Sequence, residues 1–226
     1  MTFSIAARCG KTGEFGVAIS SSSICVASRC AFTKAAVGAS LSQNITDPRL
    51  GPRLLELCAE GLSAQNAIQR IVTESENIDW RQLGVVDAEG KTACYSGSQV
   101  LGVHASAEGH NCVAIGNLLA NSSVPSAMVD AFDRSSGKLA ERLMLALEAG
   151  SQAGGEAGPI HSAGLQVSSE YGWPTVDLRV DWEEQSDIAI RQLRHAWFEY
   201  EPQVEQYIGR AIDPARSESY GVPGDE

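Results

Sequence analysis

Apolar positions recur along the chain with two periods, close to two and close to 3.6, and the two alternate in blocks. Phe3 to Ala7 is a short apolar run, and Phe15 to Ser20 is a second. The turn cluster Cys9-Gly10-Lys11-Thr12-Gly13 between them predicts a hairpin. Val37 to Leu41 reads as a third strand, while the small-residue stretch from Ser20 to Ala36 fits neither period. Two helices are expected next. Arg49 to Glu60 carries Leu54, Leu55, Leu57 and Cys58 and stops at Gly61. Ser63 then caps a stripe of Ala64, Ala67, Ile68, Ile71 and Val72. Leu83 to Val86 and Thr92 to Tyr95 flank Asp87-Ala88-Glu89-Gly90 as another hairpin, and Cys112 to Ile115 is a short strand.

The helical pair then recurs. Ser123 and Pro125 open a helix with Met128, Val129 and Phe132 on its apolar face. Leu139, Leu143, Ala146 and Leu147 mark the next, which stops at Gly150. Ala163 to Val167 and Thr175 to Trp182 are the last strands. In the second of these, Val176, Leu178 and Val180 alternate with Asp177, Arg179 and Asp181, so the charges share one face. A final helix over about residues 186–209 carries Ile190, Leu193, Trp197, Val204 and Ile208, and Pro202 should kink or break it. Strands in hairpins and helices in pairs do not make the alternating pattern of a parallel sheet. They predict an α+β fold, with antiparallel sheets and helix pairs packed outside them. Residues 1–212 read as one domain and residues 213–226 as a mobile tail.

Composition narrows the partners. The 226 residues are 43% apolar and 20% charged, values of an ordinary globular chain. Acids outnumber bases 28 to 17, for a net charge of −11, which argues against a nucleic-acid partner. Apolar runs are too short for a membrane-spanning helix. The six cysteines form no CxxC pair and no secretory signal opens the chain, so a cytoplasmic protein with reduced thiols is expected. His104, His110, His161 and His195 lack the spacing of metal ligands, and no metal is expected. Gly10-Lys11-Thr12-Gly13 lacks the upstream glycine of a phosphate loop and precedes a strand, so no cofactor is expected either. A small-molecule substrate remains.

Three features carry candidate chemistry. Thr2 follows an initiator Met of the kind commonly removed before a small residue. A free Thr2 would combine a hydroxyl nucleophile with an amine of pKa about 8, able to take its proton. Asn117, after Gly116 at a strand end, can donate toward an oxyanion, although turn chemistry explains the pair equally well. Asp177 and Arg179 either line a substrate cleft or form a solvated sheet face.

Several segments together resemble one bacterial family, the domain of unknown function ten-twenty-eight. They are Thr2 to Arg8, Thr12 to Ala18, Gly51 to Leu57, Glu60 to Ser63, Arg81 to Asp87, Gly116 to Leu119, Leu139 to Leu143 and Val176 to Asp181. The family is grouped with the N-terminal-nucleophile (Ntn) hydrolase fold. The resemblance implies a four-layer α/β/β/α sandwich of two antiparallel sheets and an amide-hydrolysing Thr2. Proteasome-type relatives imply a charge-tuning lysine at Lys34 and an aspartate at the position of Ala18, so the second of these groups is missing. On this reading Asn117 holds the oxyanion, and Gln43 and Arg81 orient the substrate. The chain also departs from its family. Ile115 stands where the family has Gln, Cys9 where it has an acid, Trp182 where it has Asp, and Gly154-Gly155-Glu156 where it has Gly-Gly-Asp. These changes fit an altered specificity or a lost activity. The implied function is an Ntn-type amidohydrolase on a small amide or peptide-like metabolite. The alternative is an inactive Ntn-fold protein that binds a metabolite or serves assembly. Aromatics gathered in the last helix, with Phe198 and Tyr200 off its apolar stripe, predict a homodimer through that helix.

Overall fold

A computed structural model describes residues 1–186 and 188–224. Asp187, inside the last predicted helix, and residues 225–226 of the predicted tail lie outside the described residues. The opening hairpin is strands β1 (Thr2–Arg8) and β2 (Phe15–Ser21). The small-residue stretch that fitted neither period holds helix α1 (Val26–Cys30) and strand β3 (Ala31–Lys34). Small residues suit it because α1 lies directly on a neighbouring strand. A Cβ added to Gly164 would sit 2.4 Å from that of Ala27. Strand β4 (Gly38–Asn44) and the helix pair α2 (Leu50–Ala59) and α3 (Ala64–Glu74) follow. As expected, Ser63 caps α3, accepting from the Asn66 N–H.

Strands β5 (Arg81–Asp87), β6 (Thr92–Ser96), β7 (Ala105–Gly109) and β8 (Cys112–Asn117) come next. The alternation did not predict β7, because its sequence Ala-Ser-Ala-Glu-Gly has no large apolar residue. The second helix pair is α4 (Val124–Arg134) and α5 (Leu139–Gln152), followed by β9 (Ser162–Ser168) and β10 (Pro174–Val180). Pro202 breaks the last helix into α6 (Ile188–Tyr200) and α7 (Val204–Ile212), joined by a 3-10 turn.

All strand pairs are antiparallel. One sheet has six strands in the order β10-β9-β2-β1-β8-β7, and the other has four in the order β3-β4-β5-β6. Three clusters of buried side chains show how they stack. Phe3, Ile5 and Ala7 of β1 pack on Met128 and Phe132 of α4, Leu143 and Leu147 of α5, and Leu193 and Trp197 of α6. The opposite face of the same sheet offers Ala6, Phe15, Val17, Ile19, Val113 and Ile115 to Ala39, Leu41 and Val86 of the other sheet. Leu83, Val85 and Ala93 then face Leu54, Leu57, Ile68 and Ile71 of α2 and α3. The result is a four-layer α/β/β/α sandwich with an apolar filling in each of three interlayer spaces. Arg194 fastens α6 to α5 through Glu141 at 2.5 Å and Glu148 at 2.8 Å. Among the described residues, no helix is long and apolar enough to cross a membrane.

Candidate active site

Directly opposed residues of antiparallel strands point to the same face. The register therefore places four side chains in one row at the end of the six-stranded sheet. Ser162 opposes Ser21, Ser21 opposes Thr2, and Thr2 opposes Asn117. Because Ala6 lies between the sheets and the period is two, Thr2 and Ser4 face that space as well. All four members of the row are buried. The apolar filling thus ends in a polar wall.

The facing sheet supplies a matching pair. Gln43 of β4 opposes Gln82 of β5. The Ser4 hydroxyl donates to Gln43 Oε1 at 2.6 Å, and Gln43 Nε2 donates to Gln82 Oε1 at 2.8 Å. Asn117 Nδ2 donates to the same Gln82 oxygen at 3.1 Å. Gln82 Nε2 in turn donates to the Gly116 carbonyl at 2.9 Å and to Ser96 Oγ at 3.1 Å. This network ties the two sheets together through neutral groups. One atom in it is left over. Asn117 Oδ1 is buried without a hydrogen-bond partner, an expensive arrangement for an amide oxygen.

Two hydroxyls converge on one carbonyl beside this atom. Thr2 Oγ1 donates to the Met1 carbonyl at 2.5 Å, and Ser21 Oγ donates to the same oxygen at 2.5 Å. The hydroxyls themselves are 3.3 Å apart. Ser21 is held in place by the Ser23 N–H, which donates to its Oγ at 3.0 Å. Glu156 is buried next to this wall and accepts from the Ser22 N–H at 3.0 Å.

Of the residues expected at the site, Thr2, Asn117 and Gln43 are gathered here. Four are not. Lys34 is exposed, at the far end of β3. Its neighbour Thr33 bonds Ser168, and Ser168 opposes Phe15, six residues along β2 from Ser21. That is about 20 Å of strand, too far for an ammonium to act on Thr2. Ala18 belongs to the helix-facing core, so the position of the missing aspartate also points away. Counting residues from Thr2 misplaces both positions, because a count does not say which face or end of a strand a residue reaches.

Arg81 opposes Asn44, one step from the Gln43–Gln82 pair, and so projects from the other face. It donates to the Ile45 carbonyl and lines an outer groove with Asp47, Arg49 and Glu74. Gln82, and not the Arg81 expected to orient the substrate, faces inward beside Gln43. Asp177 and Arg179 stand on β10, three strands from β1. They line a cleft of about 300 Å³ with Phe32, Thr33 and Gln166. Both already have partners there. Asp177 accepts from Gln166 Nε2 at 3.1 Å, and Arg179 forms a two-point pair with Asp181. The hydrogen bond to Asp181 raises the Arg179 pKa further. Ser4, Ser21, Gln82 and Glu156 carried no role in the sequence reading. The signal for the first three was the strand alternation, which puts them on the same inner face as Thr2 and Gln43.

The chain matches the family of unknown function DUF1028 over residues 2–190. The protein belongs to the DUF1028 family. A crystal structure of a DUF1028 protein from Silicibacter pomeroyi is similar to it with a TM-score of 0.82 and 29% identity, covering 88% of this chain and 85% of that one. An Anbu (ancestral beta-subunit) from Yersinia bercovieri gives a TM-score of 0.40 at 9% identity over 90% of this chain and 96% of that one. An Anbu mutant from Hyphomicrobium sp. strain MC1 gives 0.42 at 14%, over 91% and 96%. None of the curated proteins matches. In this DUF1028 member the family's opening segment is the strand that carries Thr2, and its Gly116-Asn117 segment is the neighbour across the register.

Proposed function

We propose that this protein is an Ntn-type amidohydrolase acting on a small amide or peptide-like metabolite, with Thr2 as nucleophile after removal of Met1. The observation that carries the reading is the pair of hydroxyls on the Met1 carbonyl. That carbonyl stands in for a substrate carbonyl, and the Ser21 hydroxyl is a donor aimed at it. In the reaction, Thr2 Oγ adds to the substrate carbonyl carbon while its proton passes to the Thr2 α-amine. The oxyanion takes the Ser21 hydrogen bond. The C–N bond breaks, the leaving amine takes the proton, and water then hydrolyses the acyl ester on Thr2. Asn117 fits this scheme as an acceptor. Its Nδ2 is committed to Gln82, and its unpartnered Oδ1 suits an N–H of the freed α-amine better than an oxyanion.

The test is covalent labelling. Protein whose chain begins at Thr2, verified by intact mass, is treated with a β-lactone acylating probe. One adduct located on Thr2, absent in Thr2→Ala, is the expected result. Labelling that ignores this substitution sinks the assignment. The positions of Lys34 and Ala18 favour a second reading, an Ntn-fold metabolite-binding or assembly protein without turnover. It predicts ligand binding with no amide cleaved. Either reading is compatible with a cytoplasmic protein of free thiols and with a homodimer that covers Phe198, which is 69% exposed on α6.

A further inference from the structure

Met1 is held at both ends. Its carbonyl accepts from Thr2 and Ser21, and its side chain lies against Gly158. A methyl group placed on Gly158 would come within 2.5 Å of Met1 Cε and 2.9 Å of Sδ. The thioether therefore rests on bare backbone, and a side chain at position 158 would have to push it aside. Gly158 is itself fixed beside the catalytic row. The preceding Ala157 N–H donates to the Leu118 carbonyl at 2.9 Å, one residue past Asn117. Glu156 bridges to Leu119 on the same turn.

A substrate carbonyl must come within about 3–3.5 Å of the attacking oxygen. The Met1 carbonyl, one bond from the Thr2 nitrogen, already lies in that neighbourhood and on the Ser21 donor. An acyl chain that continues from a substrate carbonyl in this place enters the space now filled by the Met1 side chain. From this we infer that the Met1 side chain occupies the acyl subsite, and that the open face at Gly158 selects an acyl group whose side chain is unbranched, uncharged and of methionine length. The inference rests on the proposed Thr2 site and adds the substrate class.

Binding without turnover separates the two claims. The Thr2→Ala chain, released to begin at residue 2 by a protease site placed before it and verified by intact mass, is titrated calorimetrically. The probes are L-methioninamide, L-norleucinamide, L-valinamide and glycinamide. Methioninamide and norleucinamide should bind at least about tenfold more tightly than glycinamide, which lacks the whole side chain, and more tightly than the β-branched valinamide. Gly158→Val should erase that preference, and Gly158→Ala should reduce it. The Met1-bearing chain, with its subsite filled, should bind none of the four. Equal affinities, or a preference unchanged in a folded Gly158→Val protein, overturn the inference. If Gly158→Val does not fold, Gly158→Ala alone decides, and an unchanged preference there has the same force. Failure of β-lactone labelling would remove the nucleophile and leave this binding result standing.

Discussion

At the Thr2 end, the space between the sheets is closed by neutral hydroxyls and amides that are buried and bonded across both sheets. Beside β10, the same six-stranded sheet presents Asp177 and Arg179, charged and exposed, each satisfied by a near neighbour on its own surface. The charged region looks more like chemistry in a sequence. The neutral region holds the unpartnered oxygen of Asn117 and the convergent hydroxyls. The difference teaches where potential is stored. A charge paired in solvent has little left to give, whereas a buried polar atom without a partner has its full hydrogen-bonding capacity in reserve.

The contrast breaks most sharply at Thr2. In chains that begin at residue 2, Thr2→Ala should lower any amidase turnover by at least about a thousandfold. The melting temperature should stay within about 2 °C, because the hydroxyl adds little to stability. Turnover that survives per folded molecule would move the chemistry elsewhere. Gln82→Leu comes next. It strips partners from Gln43, Asn117 and the Gly116 carbonyl together, and should cost about 3 kcal/mol. Chemical denaturation reads this directly, and a loss below about 1 kcal/mol would mean the network is dispensable.

Phe198 lies in neither region and serves as a control on both. Phe198→Ser should shift a homodimer toward monomer in light scattering while leaving the melting temperature within about 2 °C. A monomeric parent at micromolar concentration would refute the assembly claim. The smallest effect belongs to β10. Asp177→Asn with Arg179→Gln should change stability by no more than about 0.5 kcal/mol and leave turnover intact, since the groups are exposed and screened. A large loss of activity here would reverse the comparison and make the cleft beside Phe32 part of the working site.

The layers of the fold were legible because most strands carry an apolar run or an alternation and each covering helix carries an apolar stripe. What escaped was small. Helix α1 sits in a run rich in Ser, Ala and Cys, where close backbone packing replaces side-chain bulk, and strand β3 is only four residues long with Phe32 seated over Gly51. The Thr2 row was half legible. Thr2, Gln43 and Asn117 emerge from the sequence and its resemblance, which point to Arg81 and give Gln82 no role. Gln43 faces inward and opposes Gln82, so period two alone turns Arg81 outward once the register is known. Register is a property of two strands and is not written in either one. For the same reason, a lysine and an aspartate position counted from Thr2 landed at the wrong end and on the wrong face of their strands.

The charged stripe on β10 has a different consequence. β10 is an outer strand, hydrogen-bonded on one side only, and its free edge could template the addition of a second strand. It begins at Pro174, which lacks an N–H, and carries Asp177 and Arg179 in the open. A leading proline and exposed charges are what natural sheets use to refuse a neighbour. The stripe that reads as ligand chemistry thereby acts as a guard on solubility. It closes the β10 rim to strand addition by a second copy of this protein.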